Sequence, residues 1–328
     1  MAARSRATTI RATTDIFHRS NRKQQLFPAA ALRICDNHLH SSGIIPLICN
    51  SYNNNPAISA PSRIYEHDWF CVSQAVECYD THTTSTVVDD SSSSLSSSSS
   101  SPPPLLHRIV NGTDADACYC DVWVDSDSIG KSSIQFGGLV SIGSDILAVV
   151  RRVFVRMAIG KQKSAPFSDQ ERQRFCNNYS FEALNIGENY KASDTKKIQD
   201  LVQIKKRPEL NSDPLKTIII ELESSSPPKE ELFITRTEVG PQHINFGNHA
   251  DHAFLAETAF HALTISSKNP HNGNYMSIQY LSEVFLGDVL ESYPYRQHEE
   301  DEDIDSVILV ATRETTGERK AVLIVQGE

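Results

Sequence analysis

A chain of 328 residues exceeds what one small core organises, so two domains are expected. Its formal charge of −10, with no basic stripe to neutralise phosphates, argues against a dedicated nucleic-acid binder. Seven cysteines without a CxxC spacing favour reduced thiols over a disulfide framework or a zinc site, and no apolar run reaches the roughly 18 residues of a membrane span.

The chain opens with Met1–Thr14, which carries three arginines and no acid. That stretch reads in two ways. As the start of a domain, Thr8–Phe17 is a first strand and the protein is expected in the cytoplasm. As a transit peptide, it addresses the protein to a plastid or mitochondrion. A helix is predicted over Leu26–Leu39, with Pro28 in its first turn, where a missing N–H costs nothing. Strands follow at Phe70–Tyr79, Cys118–Val124, Ser132–Ile142 and Ile146–Arg156, the last two joined by a hairpin tip at Gly143–Asp145. Gly137 and Gly138 read as a bulge. Asp89–Pro104 is a serine run closing in three prolines and reads as an insertion in a surface loop. Asn177–Glu230 is polar and proline-punctuated, with Thr217–Leu222 as one possible short strand.

The pattern then repeats. A strand at Leu232–Val239 precedes a helix at Ala250–Leu263, rich in Ala, Leu and Phe and free of Gly and Pro. Strands follow at Tyr275–Tyr280, Gly287–Tyr293, Ser306–Thr312 and Lys320–Val325, with a hairpin signal at Thr315–Glu318. The acidic run His298–Asp303 reads as a solvated tip. One helix and a run of mostly antiparallel strands, twice over, give an α+β class in which each sheet wraps a central helix.

Chemistry concentrates at the second strand-to-helix bend. His243, Asn245, Asn248, His249, Asp251 and His252 crowd the point where free amides and a partial positive charge could receive an oxyanion. A zinc site built from His243, His249 and His252 would need the bend to bring His243 round, with no cysteine near, and is set aside.

The segment Asn245–His252 resembles the D-x-N-x-H-x-N-N signature of double-hotdog acyl thioesterases, the acyl-ACP and acyl-CoA enzymes. Gln279–Ser292 resembles the strand pair that follows it in that family. Asp121–Arg156, then Ser168–Arg172, resembles the end of a hotdog unit with its trailing helix. The resemblance implies two hotdog units paired within the chain, with a homodimer also possible. They are an N-terminal unit over residues 1–165, a connector over 166–230 and a C-terminal unit over 231–328 carrying the site. It implies hydrolysis of an acyl-CoA or acyl-ACP thioester by an acid-activated water, with no cofactor and no metal.

By position, His249 matches the family histidine and Asn245 stands where most members have the acid. Glu283 matches the glutamate of the acyl-ACP type, beside Val284 in place of a cysteine. Glu257 lies where some bacterial members carry a helix glutamate. The base is therefore Glu257, Glu283 or Asp251, with Gly247, Asn248 and His252 expected against the substrate. Asp251 has a second reading as a helix cap. Glu257, in an otherwise apolar helix, needs a polar partner, either His252 or a group across the domain interface. The amide at position 245 and the degenerate first half favour an alternative, an inactive scaffold that binds acyl-CoA or a protein partner.

Overall fold

The computed structural model describes residues 4–6, 28–41, 67–79, 118–142, 145–158, 163–190, 198, 219–220, 223, 234–244, 248–266, 275–295 and 306–327. The first half runs β1 (Arg4–Arg6), α1 (Pro28–Ser41), β2 (His67–Cys78), β3 (Cys118–Val124), β4 (Ser133–Ile142) and β5 (Asp145–Ala158). A helix α2 (Asp169–Tyr179) trails it. The second half runs β6 (Thr235–Glu238), α3 (His252–Ser266), β7 (Tyr275–Tyr280), β8 (Asp288–Tyr295), β9 (Ser306–Arg313) and β10 (Arg319–Gly327).

All ten strands join one sheet in the order β1-β3-β4-β5-β2-β7-β10-β9-β8-β6. Read from either edge inward, the two halves have the same order, so the repeat in the sequence is a repeat in space. This is the α+β, double-hotdog architecture. The seam between the halves is the antiparallel pairing of β2 with β7, from Ser73 opposite Gln279 to Glu77 opposite Tyr275.

Each central helix lies on the inner face of its own half, and a single apolar core runs through both. It takes in Leu32, Cys35 and Leu39 of α1, Leu255, Ala259 and Leu263 of α3, and alternate residues of the strands. The outer faces are also covered. Phe181, Ile186, Tyr190 and Ile198 lie on Trp123, Leu139 and Val149, while Ile219 packs against Tyr293, Tyr295, Ile308, Val310 and Ile324. Glu223 accepts a hydrogen bond from the Ala321 amide at 2.9 Å. Segments of the expected connector thus cover both outer faces. With two apolar faces to satisfy, β4 reads as a nearly continuous hydrophobic run and is buried along almost its whole length.

Several expectations need correction. Ile219 and Ile220, inside the expected strand over 217–222, are helical, as is Glu223. Gly137 and Gly138 form no bulge; the register shift of that pair falls at Val140 and Ser141. A Cβ on Gly137 would meet the Trp123 indole, and one on Gly138 would lie 2.8 Å from Cys35 Sγ, so both glycines permit close approach. The second central helix starts at His252, two residues beyond the predicted Ala250. Arg4–Arg6, within the stretch that resembles a transit peptide, form β1 against β3. The Thr8–Phe17 strand, the Ser-rich run, the Gly143 tip and the acidic run at 298–303 lie outside the described residues. No described helix is long and apolar enough to cross a membrane.

Candidate active site

The second bend is held by backbone bonds that the sequence does not announce. Ala250 N–H donates to Val284 O at 2.8 Å, and Asp251 N–H donates to His243 O at 2.8 Å. Asp251 then caps α3. Its Oδ1 accepts from the Ala253 amide at 2.9 Å, and its carbonyl accepts from Leu255 N–H. Asp251 is therefore committed to the helix start, as the second reading of that residue held. The amides of His252 and Phe254 are not among these donors. Asn248 takes φ 61, a left-handed conformation that asparagine tolerates and that turns the chain into the helix. His243 is occupied otherwise than a metal ligand would be. Its ring stacks on Phe254 with centroids 3.8 Å apart, and Nδ1 accepts from the Gly240 amide at 3.1 Å. Asn245 and Gly247 lie outside the described residues.

His252, the first residue of α3, sits at the seam. Its ring meets Tyr280 of the second half edge-on at 5.3 Å, Phe154 of the first half at 6.3 Å and His249 at 6.2 Å. Tyr280 donates its hydroxyl to the His252 carbonyl at 3.1 Å. Burial holds the imidazole down at about 4, so it is neutral at physiological pH.

The other carboxylates named from sequence lie apart from this ring. Glu257 pairs with Arg33 of α1 at 2.9 Å, with both side chains close to half exposed. Its partner is thus the group across the interface and not His252. Burial pushes its pKa up, opposed by Arg33. Glu283 is exposed in the loop after β7, next to the buried Val284.

Sequence reasoning missed the acid that the first half supplies. The helices α1 and α3 start 224 residues apart, and Arg33 and Glu257 are separated by the same interval. The buried positions Ala31, Leu32, Cys35 and Leu39 recur at Leu255, Ala256, Ala259 and Leu263 with that spacing. Arg33 and Glu257 are therefore equivalent positions that meet at the approximate twofold axis. Because the β2–β7 seam is antiparallel, the helices run antiparallel past this point. The start of α3 consequently falls beside the second and third turns of α1, which carry Asp36.

Asp36 forms an ion pair with Arg152 of β5, whose side chain is 1% exposed. Arg152 Nη2 also donates to Leu32 O at 2.7 Å. Burial works against the charge on Arg152, but Asp36 more than offsets it, and the guanidinium stays protonated. Asp36 Oδ2 is buried and has no hydrogen-bond partner. The charges of Asp36, Arg152 and Asp251 all act on the His252 ring. The structure thus brings together His249, Asp251 and His252 with Asp36, Arg152 and Phe154, while Glu257 feels the charges of Arg33, Asp251 and His243, and Glu283 lies in the exposed loop after β7. The available signals were an acid among the apolar positions of α1 and an arginine within the apolar run of β5.

No protein-family model matches the sequence, and no curated protein matches it. Among solved structures, the chain is similar to the 12:0-ACP thioesterase from Umbellularia californica. That likeness has 13% identity and a TM-score of 0.52, covering 100% of this chain and 97% of that one. An acyl-ACP thioesterase from Bacteroides thetaiotaomicron aligns at 10% identity and a TM-score of 0.47, over 99% of this chain and 96% of that one. At such identities the first likeness is one of fold, and it is the fold already described.

Proposed function

We propose that the protein hydrolyses an acyl thioester, carried by coenzyme A or acyl carrier protein, at the seam between its halves. The reading rests on one observation: a carboxylate of α1 with one buried, unpartnered oxygen lies beside the start of α3. A thioester carbonyl directed at that helix start would develop its negative charge in the field of the helix dipole. Asp36 Oδ2 would take a proton from water as the water oxygen attacks the carbonyl carbon. Collapse of the tetrahedral intermediate breaks the C–S bond, and the departing thiolate recovers the proton. His249 and Asn245 would orient the water, Gly247 and Asn248 would let the backbone approach the substrate, and neutral His252 would wall the site. Asp251 contributes through the cap, while Glu257 and Glu283 take no proton.

Release of free thiol from a panel of acyl-CoA and acyl-ACP thioesters tests this. Asp36→Asn is expected to lower kcat about 10²–10⁴-fold with the far-ultraviolet circular dichroism retained. Glu257→Gln and Glu283→Gln are expected to stay near wild type. Unchanged turnover in Asp36→Asn removes the assignment. The inactive scaffold has one observation in its favour: Asp251 already occupies the Ala253 amide and sets a negative charge where the oxyanion would sit. Tight acyl-CoA binding with no thiol release at high protein concentration would establish it instead.

A further inference from the structure

The inner wall of the first half holds two more polar groups than its packing accounts for. Gln74 of β2 is 2% exposed and stands directly opposite Arg152 in the β2–β5 register, so the two side chains share a face. The orientation of its amide is fixed by Cys71. The Cys71 thiol donates to Ser73 O at 3.6 Å, and its sulfur accepts from Gln74 Nε2 at 3.4 Å. Burial pushes that thiol up to about 12, so it remains a thiol and this direction holds at neutral pH. Gln74 Oε1 is then the free end, buried and without a partner. On the neighbouring residue, Nη1 and Nη2 of Arg152 are used by Asp36 and Leu32, and Nε is buried without a partner.

An unpaired buried acceptor and an unpaired buried donor thus belong to cross-strand partners on one face, and each is costly to leave unmet. They are on the wall an acyl chain would follow. Arg152 is two residues, about 7 Å of strand, from Phe154, whose ring touches His252. The group that satisfies both is one that donates a hydrogen and offers a lone pair from the same atom. A hydroxyl does this; a methylene does neither, and a ketone would leave Gln74 unmet.

Resting on the hydrolase reading above, we infer that the substrate is a hydroxyacyl thioester. Its chain hydroxyl donates to Gln74 Oε1 and accepts from Arg152 Nε, with Gln74 as the specificity-determining residue. Sites built to bond a substrate hydroxyl discriminate strongly against the analogue lacking it, because their own polar groups are left bare.

The experiment compares CoA thioesters of one chain length, either unsubstituted or carrying a hydroxyl at successive positions from the carbonyl, on the full-length protein. One hydroxyl position is expected to raise kcat/KM at least about tenfold over the plain chain. Gln74→Leu is expected to bring that ratio close to one, and Gln74→Met, apolar and of similar length, serves if the leucine variant fails to fold. Equal kcat/KM for plain and hydroxylated chains at every position overturns the inference, as does a ratio unchanged in the folded variant. If no thioester releases thiol, the hydrolase reading fails separately. The same ratio is then read from calorimetric Kd values for these esters, and equal Kd values overturn the hydroxyl site. Formation of an α,β-unsaturated thioester without thiol release would replace the hydrolytic step while upholding hydroxyl recognition.

Discussion

Asp36 and Phe260 occupy matching positions on the two central helices, and the difference between them divides the work of the molecule. The first half buries an ion pair against its helix and leaves three polar atoms of Asp36, Gln74 and Arg152 unpartnered. The second half packs the equivalent space with Phe260, Met276, Ile278, Leu309 and Val325. Yet the second half alone carries the histidine-rich bend. On the proposed reading, neither half holds a complete site. The duplicated fold places the polar helix start in one copy and the polar wall in the other.

The comparison breaks first at Arg152. Arg152→Met removes the cation that pairs with the part-buried Asp36, and should cost about 3–5 kcal/mol in urea unfolding. The double variant Asp36→Phe with Arg152→Met, which copies the apolar second half, should recover most of that loss. A double variant as damaged as the single one would show that the two walls are not interchangeable.

Next in size is the pH dependence of stability. The folded His252 titrates at about 4, below its ordinary value of 6.5. The unfolded chain therefore binds the proton first as pH falls. The stabilisation is complete above pH 6.5 and is lost progressively down to pH 4, by up to ~3 kcal/mol. His252→Phe should flatten this slope in chemical denaturation at stepped pH, whereas His38→Phe should leave the steepest part in place.

Gly138→Ala tests the tight packing of the first half. The new methyl meets Cys35 Sγ one residue from Asp36, and a loss of about 1–3 kcal/mol in thermal unfolding is expected. Smallest of all, Glu257→Gln should change stability by less than about 1 kcal/mol, because the ion pair it breaks is solvent-exposed.

Much of the fold was legible in the sequence because the repeat is written as periodicity. Nine strands and both central helices fall near their predicted places, and the Thr315–Glu318 hairpin turns at Gly317 with φ 66. The connector was not legible. Its residues 219 and 220 have the local pattern of a strand, but they form helix, with Ile219 packed against the sheet. The site was half legible. A crowd of His, Asn and Asp before an alanine-rich helix marks the bend from local sequence alone. Asp36, Gln74 and Arg152 are single polar residues in apolar elements. They meet only when α1, β2 and β5 pack together, with Asp36 and Arg152 separated by 116 positions. Glu257 misled for the complementary reason: an acid in an apolar helix needs a partner, and Arg33 on the other helix supplies one.

That contact between Arg33 and Glu257 has a consequence for how such a molecule is assembled. A symmetric pair made from two copies of the first half would set arginine against arginine, and two copies of the second half would set glutamate against glutamate. One charge of each sign makes cross-pairing the favoured choice. If the two halves are produced as separate polypeptides, they should seek each other in preference to themselves, and exchanging the charges at both positions together should preserve that choice.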